Sequence, residues 1–106
     1  MIAPFQQFHV VIDAATSGDN TIVSAVTGKR IVVTSLLLVG SGAVTARFES
    51  GAGGTALTGQ MTMAAGSVIA LPMSEAGYFQ TAAGSLLNLE LSGATTVDGF
   101  LTYRLV

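Results

Sequence analysis

Turn signals recur along this sequence at roughly the 8–12-residue spacing of short antiparallel strands, and no other feature restricts its fold so strongly. They are Ser17-Gly18-Asp19-Asn20, Thr27-Gly28-Lys29, Gly40-Ser41-Gly42, residues 50–54, Thr58-Gly59, Ala65-Gly66, residues 74–77, residues 82–84, Ser92-Gly93 and Asp98-Gly99. Between them lie short runs rich in Val, Ile, Leu, Phe and Thr. Branched and aromatic side chains favour extended backbone, while Gly, Ser, Asn and Asp favour turns. No stretch repeats apolar residues at i, i+3, i+4 and i+7 over three turns, as an amphipathic helix would. The expected fold is all-β: an antiparallel β-sandwich, jelly-roll-like, of about eight to ten short strands.

Alternation assigns faces within the runs. Residues 43–49 place Val44, Ala46 and Phe48 inward and Thr45, Arg47 and Glu49 outward. Residues 86–91 place Leu87, Leu89 and Leu91 inward and Asn88 and Glu90 outward. In residues 97–106, Leu101, Tyr103 and Leu105 share one face and Phe100, Thr102 and Arg104 the other. Residues 20–26 are expected to align Ile22, Ser24 and Val26. Residues 30–39 are apolar on both faces, which predicts a central strand covered on both sides. Further strands are expected at 5–12, 55–57, 61–63, 67–71 and 78–81. The predicted organisation is an N-terminal arm or edge strand over 1–8 and one sandwich domain over 9–106.

A chain of 106 residues supports a single domain. Half its residues are apolar but only 9% are charged, against about 25% in ordinary soluble domains. Thr, Ser and Gly fill 34 of the 106 positions in their place. Charge normally keeps proteins apart in solution. This surface therefore predicts a protein that is covered in its working state, most simply as a homo-oligomer. The four basic residues are scattered and the net charge is −2, so no nucleic-acid partner is expected. Residues 31–46 and 50–74 carry no charge. The first is too short to span a bilayer and the second is interrupted by Gly, Thr, Ser and Gln60, so no membrane partner is expected. Residues 1–9 lack the basic and apolar regions of a signal peptide.

Little in the chain carries chemistry. There is no Cys, which removes disulfides and thiolate chemistry together. The single His9 lies in an apolar run, and the ligand set of a zinc site is missing. Asp13 and Asp19 flank a turn without calcium-loop spacing. No carboxylates are paired for acid–base work, and Asp98-Gly99 reads as a turn signal. The glycine-rich run 50–54 lacks the Lys and Ser/Thr of a phosphate loop. No enzyme, cofactor or metal is expected. Two segments remain as contact candidates. One is the apolar start with Ile2, Pro4, Phe5 and Phe8. The other is residues 71–79 with Pro72, Met73 and Tyr78, since Met and Tyr suit adaptable interfaces.

Several runs carry a family resemblance: Val26-Thr27-Gly28-Lys29-Arg30-Ile31-Val32-Val33, residues 41–51, Thr55-Ala56-Leu57-Thr58-Gly59, residues 77–89 and Val97-Asp98-Gly99-Phe100-Leu101-Thr102-Tyr103. They resemble a small β-sandwich module of tailed-bacteriophage virion proteins, over about residues 26–103. Tyr78 stands where many members carry Trp. At this length the chain is most similar to the jelly-roll capsid decoration, or cement, proteins, such as the trimeric knobs of some cyanophage heads. The resemblance implies a structural protein made in the host cytoplasm and placed on the outer surface of the capsid. It also implies a homotrimer that bridges major capsid protein subunits. The alternative is a tail-fibre or receptor-binding module that recognises host glycans. A fibre module usually belongs to a longer chain, and a sequence running from Met1 to a terminal strand favours decoration.

Overall fold

A computed structural model of the chain describes residues 6–106, and among these there is no helix. Ten strands form: β1 (Phe8–Ala14), β2 (Gly18–Val23), β3 (Ile31–Gly40), β4 (Val44–Ser50), β5 (Thr55–Ala56), β6 (Met61–Met63), β7 (Val68–Leu71), β8 (Phe79–Gln80), β9 (Leu87–Leu91) and β10 (Val97–Leu105). The first sheet runs β1-β10-β3-β7, with β8 also on β3; the second runs β2-β9-β4-β5, with β6 also on β4. Every pairing is antiparallel. The two sheets close on one core, as in a β-sandwich. No described helix is long and apolar enough to cross a membrane.

The alternating runs set the inner faces. Val44, Ala46 and Phe48 from β4 and Leu87, Leu89 and Leu91 from β9 are buried in the core, as their period-2 spacing predicts. They meet Ile12, Val33, Leu36, Leu38, Val97 and Leu101 from the first sheet. Tyr103 and Leu105 pack at its margin. Phe48 is fully buried, and its ring lies 5.1 Å from that of Phe79. Phe79 thus ties short β8 to the opposite sheet.

Several expectations need correction. Asp98-Gly99 is not a turn: both residues lie inside β10, paired with β1 and with β3. Gly18, Asp19 and Asn20 likewise belong to β2, where they pair with Leu91, Glu90 and Leu89, so the bend lies before Gly18. Gly99 has φ +144°, and a Cβ there would run into the Leu37 carbonyl. The glycine permits close strand approach, a role that local sequence does not distinguish from a turn. β2 ends at Val23, and Ser24 and Val26 are exposed. A register shift between Thr21 and Val23 turns Val23 inward and breaks the expected alignment of Ile22, Ser24 and Val26. A second shift, at Thr102/Tyr103, leaves Thr34 of β3 as the extra residue. Its hydroxyl is satisfied by Thr102 Oγ1 and Gln7 Oε1, both at 2.8 Å.

Glu49 and Asn88 were expected to face solvent. They do leave the core face, but both are fully buried. β3 shows the opposite departure. It is central in its sheet and apolar on both faces, yet on its outward face Ser35, Leu37 and Val39 are only half-buried.

Candidate functional site

The contact candidates fall in three places. Ile2, Pro4 and Phe5 lie outside the described residues. Phe8 opens the edge strand β1, opposite Tyr103, and the two rings stack at 5.3 Å. The third group is gathered by the connection between β7 and β8, residues 72–78. The Tyr78 hydroxyl donates to the Pro72 carbonyl at 2.6 Å, and Met73 stands exposed beside them. Two main-chain bonds hold this connection to β3: Ser74 N–H to the Thr34 carbonyl and Tyr78 N–H to the Val33 carbonyl, both 2.9 Å. Gly77, at φ +81°, makes the bend possible. Val32, Ala76, Gly77, Tyr78, Phe79 and Gln80 line an open depression of about 300 Å³ next to it. Of the two neighbouring aromatics, Phe79 turns inward and Tyr78 outward.

The outward faces of the two sheets differ in chemistry. Across the first sheet, register aligns Val11 with Phe100, Phe100 with Leu37 and Leu37 with Ala70, an apolar row over four strands. Val11 is 67% exposed and Phe100 38%. In the next row Val39 pairs with Val68, which is 59% exposed. That row ends in Asp13 opposite Asp98. Two carboxylates in direct cross-strand register repel. Partial desolvation, then the hydrogen bond and repulsion of Asp13, hold the Asp98 carboxyl above its ordinary value of 3.8. On the other side of the apolar row stand His9, Thr102 and Ser35. His9 lies against Phe100, ring centres 5.5 Å apart.

The second sheet's outward face is polar and internally satisfied. Asn88 Nδ2 donates to Asp19 Oδ1 at 2.8 Å and to Glu49 Oε1 at 2.9 Å. Asn88 Oδ1 accepts the Asn20 N–H at 2.8 Å. Arg47 binds Glu49 Oε2 through Nε at 2.9 Å and Nη2 at 2.7 Å, and Nη2 reaches Glu90 Oε1 at 3.3 Å. The Glu49 hydrogen bond, opposed by burial, raises the Arg47 pKa above its ordinary value; the charges of Glu49 and Glu90 add to it. Asp19, Glu49 and Glu90 bring carboxylate oxygens within 4.8 Å of one another, a spacing a cation could bridge. Both Glu49 oxygens are already engaged by Asn88 and Arg47, so the cluster works as a three-strand clasp. Sequence alternation assigned the side of the sheet for Arg47, Glu49, Asn88 and Glu90, but not for Asp19. It did not reveal the clasp, because Asn88 meets Glu49 and Asp19 across 39 and 69 residues of chain.

No family model, curated protein or solved structure matches this chain. What the molecule offers is surface: an apolar sheet face, an anchored connection at 72–78 that exposes Met73 and Tyr78, and a polar face whose groups bind one another.

Proposed function

We propose that this protein is a structural component of a phage virion, a capsid decoration protein on the outer surface of the head that bridges major capsid protein subunits. Its support is the coexistence of two exposed apolar regions on one small sandwich. One is the row of Val11, Phe100 and Leu37; the other is the connection with Met73 and Tyr78. A protein that joins its own copies and also grips a shell needs two such surfaces, and a low overall charge lowers the cost of dehydrating both. The strand orders β1-β10-β3-β7 and β2-β9-β4-β5 support a jelly-roll reading, because they match two interleaved Greek keys. The virion context and three-fold assembly come from the resemblance of the turn-and-core runs.

In this reading the 72–78 connection faces the shell. Its two main-chain anchors to β3 fix its path, while the Met73 thioether supplies adaptability. Binding is weak at each copy and strong for the linked assembly, because tethered copies rebind before the whole detaches. The test is co-sedimentation with empty heads. The double variant Met73→Glu, Tyr78→Ser should keep its melting temperature and oligomeric state and lose most of its shell binding. Wild-type protein that fails to sediment with heads, or that is present in virions only at tail-component copy number, would overturn the proposal.

A further inference from the structure

The outward face of the first sheet has an order that suits one partner in particular. Three rows lie two residues apart along β1 and β10, about 7 Å from one to the next. The Asp13–Asp98 row comes first, the Val11–Phe100 row second and the His9–Thr102 row third. The acidic row and the donor row are therefore equidistant from the apolar row between them.

We infer that this face is an interface between two copies of this chain, paired about a two-fold axis that lies along the Val11–Phe100–Leu37 row. Such an axis turns each copy over and reverses its strands. Each apolar residue then meets its own counterpart, and the outer rows exchange. Asp13 of one copy lies opposite His9 of the other, and Asp98 lies opposite Thr102. The His9 imidazole N–H thus meets Asp13, one of two carboxylates that repel each other within their own sheet; the Thr102 proton already goes to Thr34, whose own proton goes to Gln7. The other in-plane two-fold axis, along the strands, keeps the acidic row over the same row of the partner. It sets the carboxylates opposite Val39 and Val68 and offers them no donor. Face-to-face packing of two twisted sheets is itself an ordinary geometry, with side chains interleaved at about 10 Å. The inference rests on the proposed self-association and adds a two-fold contact to its three-fold one. It requires an even number of copies: two, or six if a three-fold contact also forms.

Sedimentation equilibrium of the full chain at micromolar concentrations is the test. Wild type should be a dimer or a six-copy assembly. Val11→Lys sets two ammonium groups against each other on the axis and should weaken pairing about a hundredfold, since each change counts twice in a symmetric contact. His9→Asp should also weaken it, by placing carboxylate against carboxylate. The exchange variant His9→Asp, Asp13→His restores complementary rows and should recover pairing. Melting temperature, followed in parallel, confirms that these outward-facing changes leave the fold intact. A wild type that is monomeric or an odd-numbered oligomer overturns the inference. So does an exchange variant that folds but fails to pair. Shell binding separates this from the functional proposal. A Val11→Lys variant that loses the two-fold pairing and still binds heads leaves both standing. Unchanged oligomerisation with lost head binding gives this face to the shell and overturns the inference alone.

Discussion

Asn88→Ala tests how the second sheet is held. The side chain is fully buried and joins three strands: it accepts from Asn20 on β2 and donates to Asp19 on β2 and Glu49 on β4. Truncation removes three hydrogen bonds, two of them to carboxylates. Bonds to charged groups are worth about 1.5–3 kcal/mol each, and an orphaned buried acceptor adds its own desolvation cost. The values are not additive, because Arg47 still holds Glu49 Oε2. The expected loss is about 3–4 kcal/mol, a large share of the roughly 5–15 kcal/mol typical of a domain. Urea unfolding followed by far-ultraviolet circular dichroism at pH 7 would show a lower midpoint with an unchanged slope. Asn88→Asp sharpens the test. It keeps the shape and the acceptor for Asn20, but replaces two donors with a carboxylate facing Asp19 and Glu49. Its loss should exceed that of Asn88→Ala. A loss below about 1 kcal/mol for Asn88→Ala, or equal losses for both variants, would refute the view that this amide holds the carboxylates together.

Two further outcomes follow from β10. Gly99→Ala should cost about 3 kcal/mol or more, because its Cβ would collide with the Leu37 main chain at a positive φ; urea unfolding measures it, and a loss under about 1 kcal/mol contradicts that geometry. Asp98→Asn should stabilise the fold at neutral pH and have no effect below pH 3.8. The folded-state pKa is raised, so the ionised group opposes folding above that value and the penalty vanishes as protonation proceeds through it. Melting temperatures across pH, at concentrations that keep the chain monomeric, would reveal the sign; a destabilised variant at pH 7 contradicts it.

The fold class and the inner faces were legible because both depend on local spacing. Val44, Ala46 and Phe48 point inward since side chains alternate along any strand, and three apolar residues in phase admit one register. The turns were legible at Thr27-Gly28, Ala65-Gly66 and Ala83-Gly84, but Gly18, Asp19 and Asn20 open β2. Asp98-Gly99 misled because glycine serves a turn and a close strand crossing equally well, and only the presence of Leu37 on the neighbouring strand decides between them. The shift in β2 was hidden for a similar reason. Val23 and Val26 are equally apolar, and pairing with β9 selects Val23. Of the contact candidates, the Pro72, Met73 and Tyr78 group was legible as a cluster because its members are adjacent in sequence. The Val11, Phe100 and Leu37 row was not, since its members come from three distant strands.

Alternation says which side of a sheet a residue takes, and leaves open whether that side is covered. Asn88 and Glu49 face outward and are buried by polar neighbours from other strands. Leu37, Val39 and Phe100 also face outward and keep part of their apolar surface in water. A strand apolar on both faces ordinarily reports cover on both sides. Here the core supplies one cover for β3, and the chain leaves its other face half-open. The same uncharged run, residues 31–46, therefore serves two purposes. Its inward half contributes to the core. Its outward half, with Val11 and Phe100 beside it, keeps a surface that loses little on dehydration, because no charge sits within the apolar row. The charges stand at its margins, Asp13 and Asp98 on one side and His9 as a polar donor on the other. In the proposed pairing, specificity resides in the margins and affinity in the row, the division expected of two copies that meet in one orientation.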